Sequence, residues 1–357
     1  MAKGIDNRRE IMLSESLRSA RRRLSSKLAQ IDLGSLGISE YQQRYLAGHL
    51  RNLEGILQVY GRIISLAVKE SQCPLGDFVL VDYGGGSGLL SFLALEAGIS
   101  NVIYNDIYDV SCDDARKLGQ ALNLPLPRIV CGDVDELVSY LQKEKIKVNG
   151  IVSYDVIEHI YDIKHHFETL GSLEGAFVVV YASSANSKNP LIVRRLRKKQ
   201  IEAEYITRER IWGHKERDTL EAYFSVRKRI IAAYAPELSP AEIEHLARAT
   251  RGLRQGDIEK CVDEYRQMGT ISYQIADPTN TCDPYTGNWC EHLIDFGWLK
   301  SIVLKSGFYR VEILPGYYSL TGPLLKRIVK VVANVVIRLS KNKAIFVAPH
   351  YILCAKK

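Results

Sequence analysis

Two patterns of apolar and polar positions occur along the chain, short apolar runs typical of buried strands and the three-to-four spacing of amphipathic helices. Between residues 77 and 184, segments with helical spacing separate five short apolar runs, which are FVLVDY, NVIYND, RIVCGD, GIVSYD and GAFVVVYAS. Strands joined by helical crossovers run parallel, so this stretch predicts an α/β core with a doubly wound, mostly parallel sheet. Two late runs, FYRVEILPGYY and AIFVAPHYILCA, predict two further strands and bring the sheet to seven.

Helical spacing dominates the remaining segments. Roughly residues 40–69 predict one amphipathic helix, since apolar side chains recur there at intervals of three and four. Ser239-Pro240-Ala241-Glu242 has the pattern of a capped helix start. The predicted organisation is an N-terminal helical segment (1–70), a first core part (71–187), a helical cap insertion (188–284), and a last core part (285–357) with a basic amphipathic helix at about 322–340.

Composition narrows the class of protein. The 357 residues are 46% hydrophobic and 25% charged, which is ordinary for a globular chain and excludes disordered and collagen-like classes. Seven cysteines in irregular spacing, without a CxxC pair, favour a reducing compartment and predict a cytoplasmic protein. No apolar run reaches the length of about 18 residues that a membrane span needs, which leaves a soluble or peripherally attached protein.

A glycine-rich loop, Asp82-Tyr83-Gly84-Gly85-Gly86-Ser87-Gly88, closes the first predicted strand. Glycines allow a backbone to turn sharply and to approach a ligand closely. The dinucleotide spacing GxGxxG fails here, because Leu89 or Ser91 stands at its last position. A nicotinamide-dependent oxidoreductase is therefore disfavoured. The spacing that fits is (D/E)xGxGxG.

Aspartates stand at the ends of the next three predicted strands. Asp106, with Ile107 beside it, ends the second strand, Asp133 ends the third, and Asp155 ends the fourth. In open α/β sheets, ligands bind at the carboxyl ends of the strands. Each aspartate alone equally suits a helix N-cap. Their joint order beside the glycine loop predicts one cofactor site.

These motifs resemble class I S-adenosylmethionine-dependent methyltransferases over residues 77–184 and about 285–357. VLVDYGGGSG is similar to the glycine motif, VIYND to the ribose-binding acidic motif, VCGDVDEL to the adenine motif, and SYDVIEHIYD to the fourth motif of the small-molecule and quinone-precursor O-methyltransferase branch. The sequence departs from the family pattern in two ways. Asn149 stands where the fourth strand usually opens with Asp, and both the 188–284 insertion and the helix between the last two strands are additions to the minimal fold.

The resemblance implies that the protein binds S-adenosyl-L-methionine, and it implies which residues contact this cofactor. Asp106 would accept hydrogen bonds from the ribose hydroxyls, and Asp133 from the adenine amino group. The complete set of predicted cofactor-binding residues is Asp82, Tyr83, Gly84, Gly85, Gly86, Gly88, Asp106, Ile107, Asp133, Val134 and Asp155.

Catalytic candidates follow the fourth strand and return late in the chain. Methylation of a hydroxyl is helped by a base whose pKa lies near neutrality, which makes His159 the first candidate, with Glu158 and His292 beside it. The alternative is that Glu158 and His159 only brace a local helix. A second alternative, a metal shared by Asp155, Glu158, His159 and His292, is the weaker one, and we predict no metal.

Part of the predicted cap carries a large excess of positive charge. Residues 188–230 contain 13 Lys or Arg and six Asp or Glu, an excess equal to the whole formal net charge of +7. This cap suits a small acceptor that carries phosphate or carboxylate, or a membrane surface together with the late helix. The alternatives are that the cap is a solvated lid and that the late helix is packed into the core. Nucleic acid is disfavoured, because no RNA-binding module and no NPPY-like tetrapeptide after the fourth strand is present.

The sequence therefore predicts a methyltransferase that acts on oxygen of a small or lipid-linked acceptor. A pocket is expected from Tyr181, the cap and the N-terminal helix, with Tyr285, Trp289 and His292 entering from the late segment. The alternatives are an RNA-modifying methyltransferase and a non-catalytic S-adenosylmethionine-binding protein.

Overall fold

The computed structural model describes residues 2–210 and 214–357 of the chain. The strands are β1 Val79–Tyr83, β2 Asn101–Asp106, β3 Arg128–Cys131, β4 Gly150–Tyr154, β5 Val178–Ser183, β6 Arg310–Pro315 and β7 Tyr351–Lys356. The helices are α1 Ala2–Leu28, α2 Glu40–Leu50, α3 Leu53–Ser71, α4 Leu89–Glu96, α5 Asp109–Ala121, α6 Val134–Lys143, α7 Ile163–Gly171, α8 Pro190–Tyr205, α9 Tyr223–Tyr234, α10 Pro240–Ala249, α11 Gln255–Met268, α12 Phe296–Lys305 and α13 Leu324–Leu339.

The seven strands form one sheet in the order β3-β2-β1-β4-β5-β7-β6. Strands β1 to β5 pair in parallel, whereas β7 is antiparallel to both β5 and β6. The predicted mostly parallel, seven-stranded α/β sheet is confirmed. In a doubly wound sheet, successive strands are added outward on both sides of the first one. This order describes β1 to β5, and the antiparallel pair of β6 and β7 departs from it. The reversal at β1 places the carboxyl ends of β1, β2 and β4 side by side, where a ligand site is expected.

The chain divides into two compact units. The first, called the core unit, comprises Met1–Ile157, Lys164–Ser184 and Phe296–Lys357; the second, called the helical unit, comprises Glu158–Ile163 and Ala185–Asp295. The predicted cap, 188–284, falls within the helical unit. No helix among the described residues is both long and apolar enough to cross a membrane.

The single helix predicted at about 40–69 is wrong, because the structure divides it into α2 and α3. Asn52 leaves the helical conformation with φ −136° and ψ 35°. Its side-chain oxygen accepts a hydrogen bond from the Thr321 hydroxyl at 3.0 Å. Asparagine side chains that bond elsewhere compete with the helical backbone, which explains a break inside an otherwise continuous apolar stripe.

The helices at the start of the chain pack on the sheet. The Leu57, Ile63 and Ile64 side chains of α3 are completely buried in the core cluster that also contains Phe78, Leu80 and Val152. The basic α1 belongs to the same cluster through a buried stripe at helical spacing, which comprises Leu13, Leu17, Ala20, Leu24 and Leu28. Both α1 and α3 therefore belong to the core that is built around the sheet.

The helical unit has a core of its own, formed by α9, α10 and α11. Its buried members are Val226, Ile230, Ile231, Ala235, Leu246, Ala247, Ile258 and Val262. An ion pair between Arg227 and Glu204 is buried beside them, and the Thr281 hydroxyl donates to the second oxygen of Glu204 at 2.7 Å. The predicted start of α10 is confirmed, since Ser239 and Glu242 form a reciprocal capping box.

Candidate functional site

The glycine loop leaves the carboxyl end of β1 in a conformation that requires glycine. Gly84, Gly86 and Gly88 have φ of 69°, 52° and 76°, a region that costs other residues about 1–2 kcal/mol. At Gly84 a Cβ would lie 2.6 Å from the Val156 side chain, and at Gly85 it would lie 2.5 Å from the Tyr104 ring. The loop therefore combines left-handed backbone with close packing.

Asp106 ties the loop to the neighbouring strand. Its Oδ2 accepts a hydrogen bond from the Gly86 N–H at 2.9 Å, and its Oδ1 accepts one from the Tyr108 N–H at 2.8 Å. The Tyr104 hydroxyl donates to the Gly86 carbonyl at 2.7 Å. A carboxylate has about four acceptor positions, so it can hold several donors at once. Ile107, next along the chain, exposes 54% of its surface, which suits an apolar contact with a flat ring.

Asp82 lies beneath the loop and is only 2% exposed. Its Oδ2 accepts from the N–H and the hydroxyl of Ser91 at 3.0 and 2.7 Å, which fixes the first turn of α4. Burial raises the pKa of Asp82 to about 7. The structure thus shows Asp82 bracing the loop, and a direct contact between Asp82 and a cofactor stays a prediction.

The third and fourth strands end earlier than predicted. β3 ends at Cys131, and Asp133 is the N-cap of α6, where it accepts from the Asp135 N–H at 2.8 Å in a capping box with Glu136. Burial, together with the hydrogen bond to Glu136, raises the pKa of Asp133. Val134 is buried at the start of α6. The N-cap alternative for Asp133 is therefore realised, and its contact with adenine stays a prediction.

Asp155 follows β4 instead of ending it, because the strand stops at Tyr154. Its φ of 54° is in the left-handed region, and its Oδ1 accepts from the Ser184 N–H at 2.6 Å. Since Ser184 follows β5, this bond joins the carboxyl ends of two adjacent strands. Asp155 accordingly lies at the expected edge of the sheet.

Tyr83 and Tyr181 belong to an aromatic cluster under the sheet edge. Their rings stack with centroids 6.1 Å apart, and the Tyr181 hydroxyl is 3.1 Å from His166 Nε2. Tyr181 has no exposed surface, so the expectation that it lines a pocket is wrong. Burial lowers the pKa of His166 to about 3, and the imidazole is neutral in the fold.

Helix α2 supplies aromatic side chains that the sequence analysis did not assign to the site. The Tyr45 ring lies 3.5 Å from the position that a Cβ on Gly86 would occupy, directly beside the loop. It also contacts His49, with ring centroids 4.2 Å apart, and stacks on Tyr41 at 5.7 Å. Tyr41, Tyr45 and His49 recur at intervals of four on one helix face, a signal that could have indicated them.

A second aromatic group stands beside the carboxyl end of β4. Tyr60 of α3 meets Tyr154 edge to face at 5.6 Å, and Tyr154 meets His350 at 6.5 Å. Burial lowers the pKa of His350 to about 4. Tyr154 is half-buried. Tyr60 and Tyr154 therefore lie at the edge of the sheet where open α/β folds bind their ligands.

The three predicted catalytic residues come together in the helical unit, around Trp289. His159 Nδ1 lies 2.8 Å from the Trp289 carbonyl oxygen, and the His292 ring stacks on the Trp289 indole with centroids 4.3 Å apart. The backbone N–H of His292 donates to the backbone carbonyl of Glu158 at 3.1 Å, and Glu158 is completely buried. Burial lowers the pKa of His292 to about 4, so this imidazole is neutral at pH 7.

The hydrogen bond to Trp289 decides the tautomer of His159. A carbonyl oxygen only accepts, so in neutral His159 the proton resides on Nδ1 and the lone pair on Nε2. A histidine in this state is prepared to accept a proton through Nε2.

Tyr285, which was predicted to enter the pocket, is 48% exposed, and its hydroxyl accepts a hydrogen bond from Arg229 at 3.3 Å.

The basic cluster of α8 is partly neutralised by carboxylates from later in the helical unit. Arg197 pairs with Asp277 at 3.1 Å, and Lys199 pairs with Glu291 at 3.0 Å. Arg194 and Arg195 are exposed. Within residues 2–210 and 214–357, no group of three or more His, Cys, Asp or Glu side chains is arranged to hold a metal ion.

Comparison with known proteins gives structural likeness only. No protein-family model matches the chain. No curated protein sequence matches it either.

Three similar solved structures are named as methyltransferases. A SAM-dependent methyltransferase from Archaeoglobus fulgidus is 15% identical, with a TM-score of 0.36, over 84% of this chain and 93% of that one. The CurJ carbon methyltransferase is 13% identical, with a TM-score of 0.39, over 98% of this chain and 67% of that one. Magnesium protoporphyrin IX methyltransferase from Synechocystis, solved with bound SAM, is 19% identical, with a TM-score of 0.29, over 41% of this chain and 64% of that one. These neighbours do not support the O-methyltransferase branch, which stays a prediction.

Proposed function

We propose that the protein is an S-adenosylmethionine-dependent methyltransferase that methylates an oxygen of a small or lipid-linked, anionic acceptor. The observation that carries the proposal is the bond between Gly86 of the loop and Asp106 at the end of the adjacent strand. This bond holds the left-handed glycine loop beside the Asp106 carboxylate, which is the group proposed to bind a ribose. The loop and Asp106, called here the cradle, lie at the carboxyl ends of β1 and β2.

The residues of this cradle fit the cofactor. The loop backbone of Gly84, Gly86 and Gly88 would lie under the amino-acid part, and Asp106 would accept from the ribose hydroxyls. Ile107 and Val134 would contact the adenine ring, with Asp133 accepting from its amino group. When bound, S-adenosylmethionine supplies a methyl group that its sulfonium already activates. The protein therefore has to position an acceptor and exclude water.

The chemistry at the acceptor is assigned to His159. Its Nε2 holds a lone pair because Nδ1 donates to Trp289, and it would take the proton of an acceptor hydroxyl. Glu158 and His292 position this group: the backbone bond between them fixes the two segments, and stacking of His292 on Trp289 fixes the carbonyl that His159 uses. The exposed Arg194 and Arg195 would attract an anionic acceptor.

Cofactor binding is tested by calorimetric titration with S-adenosylhomocysteine. The Asp106→Asn variant should bind at least about tenfold more weakly, because one charge-assisted acceptor is lost. Asp109→Asn, on the exposed first turn of α5, is the matched control and should bind as the parent does. Absence of binding to the parent chain, or equal binding by Asp106→Asn while its circular dichroism stays native, would reject the proposed cofactor site.

Methyl transfer is tested with radiolabelled S-adenosylmethionine and cell extract separated into organic-soluble, small aqueous and RNA fractions. Label in the organic or small aqueous fraction that falls about 10²-fold in His159→Ala, with S-adenosylhomocysteine affinity intact, supports the acceptor class and the base. Label in the RNA fraction would instead indicate an RNA-modifying enzyme. Cofactor binding without label in any fraction would indicate a non-catalytic binding protein.

A further inference from the structure

Helix α13 is not packed into the core, because it carries apolar side chains that nothing in the described chain covers. Ile337 is the one buried residue of this helix. Nine apolar side chains are between 42% and 76% exposed, and they are Leu324, Leu325, Ile328, Val329, Val331, Val332, Val335, Val336 and Leu339. Single exposed apolar residues are normal, but a contiguous set of this size marks an interaction surface.

The nine residues form one continuous face, called here the apolar arc. At 100° per residue they occupy an arc of about 160° without a polar interruption. Arg327 and Arg338 border one edge, and Lys326 lies beyond the other. The helix is thus apolar along its centre and cationic along its margins, as interfacial helices are.

The opposite side of α13 is held against neighbouring segments of the core unit, to which the helix itself belongs. Asn334 forms a reciprocal pair with the Tyr318 backbone, at 2.8 Å to the N–H and 2.9 Å to the carbonyl. Lys330 donates to the Thr321 carbonyl at 2.8 Å, and Ile337 packs with Ala344 and Ala348. Because these anchors lie roughly opposite the middle of the apolar arc, the helix is fixed in an orientation that turns the arc away from the core unit.

Charge identifies the partner. Residues 313–357 contain eight Lys or Arg and no Asp or Glu. Pairing of two α13 helices from two copies would bring cationic margins together, with no carboxylate in this segment to neutralise them. An RNA would supply negative charge but no apolar phase. A bilayer with anionic headgroups supplies both, since acyl chains accept the arc and headgroups accept the margins.

We propose that α13 docks the protein on the surface of an anionic lipid bilayer, with its axis in the membrane plane and the apolar arc in the headgroup–acyl boundary. Sixteen residues extend about 24 Å along a helix, and the anchors at Lys330 and Asn334 hold it lengthwise against the protein. Phe346, in the segment that follows the helix, is a further exposed apolar side chain, at 50%. This surface is independent of the proposed methyl transfer.

The test is co-sedimentation of the full chain with vesicles of phosphatidylcholine alone or mixed with phosphatidylglycerol. We expect binding to the mixed vesicles, weakened by salt, and much less to phosphatidylcholine. Leu325→Asp should weaken binding at least about tenfold, because it places a charge in the apolar arc. Leu191→Asp, at a residue of α8 that is 80% exposed, is the matched control and should bind as the parent does.

The cationic margins are tested separately. Lys326→Glu and Arg327→Glu should each weaken binding by about fivefold or more, whereas Lys300→Glu on α12 should not. Failure of the parent chain to bind mixed vesicles would overturn the proposal, and so would equal binding by Leu325→Asp. If light scattering shows a dimer that Leu325→Asp dissociates, and no vesicle binding occurs, the arc is a contact between copies and the membrane proposal is wrong. These readouts do not depend on cofactor or turnover.

Discussion

Two regions of the core unit, the glycine loop at Asp82–Gly88 and helix α13, use their side chains in opposite ways. In the loop, the candidate ligand groups also maintain the fold: Asp106 holds the Gly86 N–H, and Asp82 holds Ser91. In α13, the candidate contact groups point away from the protein, and separate residues such as Asn334 anchor the helix. Binding and folding are therefore inseparable in the loop and separable in α13. Substitutions can test that difference.

The largest effect is expected for Gly84→Ala. Its left-handed backbone and the contact of a new Cβ with Val156 should together lower the free energy of unfolding by about 2–5 kcal/mol. Gly61→Ala is the control, because a Cβ there meets nothing within 4 Å and lies inside α3; it should stabilise by up to about 1 kcal/mol. Urea denaturation measures both. Gly84→Ala as stable as the parent would show that the loop tolerates relaxation.

Acid should weaken the fold while leaving the charge of α13 unchanged. Burial lowers the pKa of His166 to about 3 and that of His350 to about 4, so the unfolded chain binds protons near pH 6.5 that the fold does not. Each such histidine should lower the free energy of unfolding by about 2 kcal/mol between pH 7 and 5. Asp82 opposes this trend, because its raised pKa of about 7 makes the fold gain stability as pH falls from 7 toward 4.

The histidine contribution is isolated by His166→Phe. Its unfolding free energy should depend less on pH between 7 and 5 than that of the parent, by about 2 kcal/mol, in denaturant titrations at each pH. His245→Phe, at an exposed position of α10, is the control and should keep the parent slope. Parallel pH profiles for the parent and His166→Phe would contradict the assignment. Vesicle binding at pH 5 should persist, since Lys and Arg remain charged.

A smaller effect is expected for Tyr104→Phe. Loss of the hydroxyl that donates to the Gly86 carbonyl at 2.7 Å should reduce both the free energy of unfolding and the binding of S-adenosylhomocysteine by about 1 kcal/mol. Tyr309→Phe, at a residue that is 72% exposed, should change neither. If stability falls while affinity is unchanged, the loop conformation and ligand binding are separable after all.

The smallest change in stability is expected for Leu325→Asp. Its parent side chain is 76% exposed, so the free energy of unfolding should change by less than about 0.5 kcal/mol. Thermal and urea denaturation without vesicles measure this change. A loss of several kcal/mol would mean that the residue packs against the protein, and the contrast with the loop would disappear.

The sequence predicts what local pattern determines. The apolar runs predicted the strands, and the Ser239–Glu242 spacing predicted a capping box that the structure contains. The break at Asn52 was not predictable in the same way, because the hydrogen bond that accompanies it comes from Thr321, which lies 269 residues away. Tyr181 was misplaced for a similar reason: its partner His166 is determined by packing and not by spacing.

The candidate site is predictable in position more than in contact. The glycine spacing and the order of Asp106, Asp133 and Asp155 predicted that these residues lie at the carboxyl ends of successive strands, and they do so in the structure; their contact with a cofactor stays a prediction. An aspartate after a strand suits both a ligand and an N-cap, so sequence alone could not show that Asp133 caps α6. Tyr45 was missed because the spacing of Tyr41, Tyr45 and His49 indicates one face of a helix but does not show that this face lies beside the loop.

The position of β7 inside the sheet has a consequence for synthesis of the protein. β6 pairs with β7 and with no other strand of the described chain, and β7 also covers the edge of β5. Until the ribosome has released residues 351–356, the nascent chain presents β5 as an open edge and β6 as an unpaired segment. An open edge of this kind invites pairing with other chains. Completion of the sheet therefore waits until β7 has been synthesised after the six other strands, and a chain interrupted before residue 351 should be recognised by chaperones or proteases.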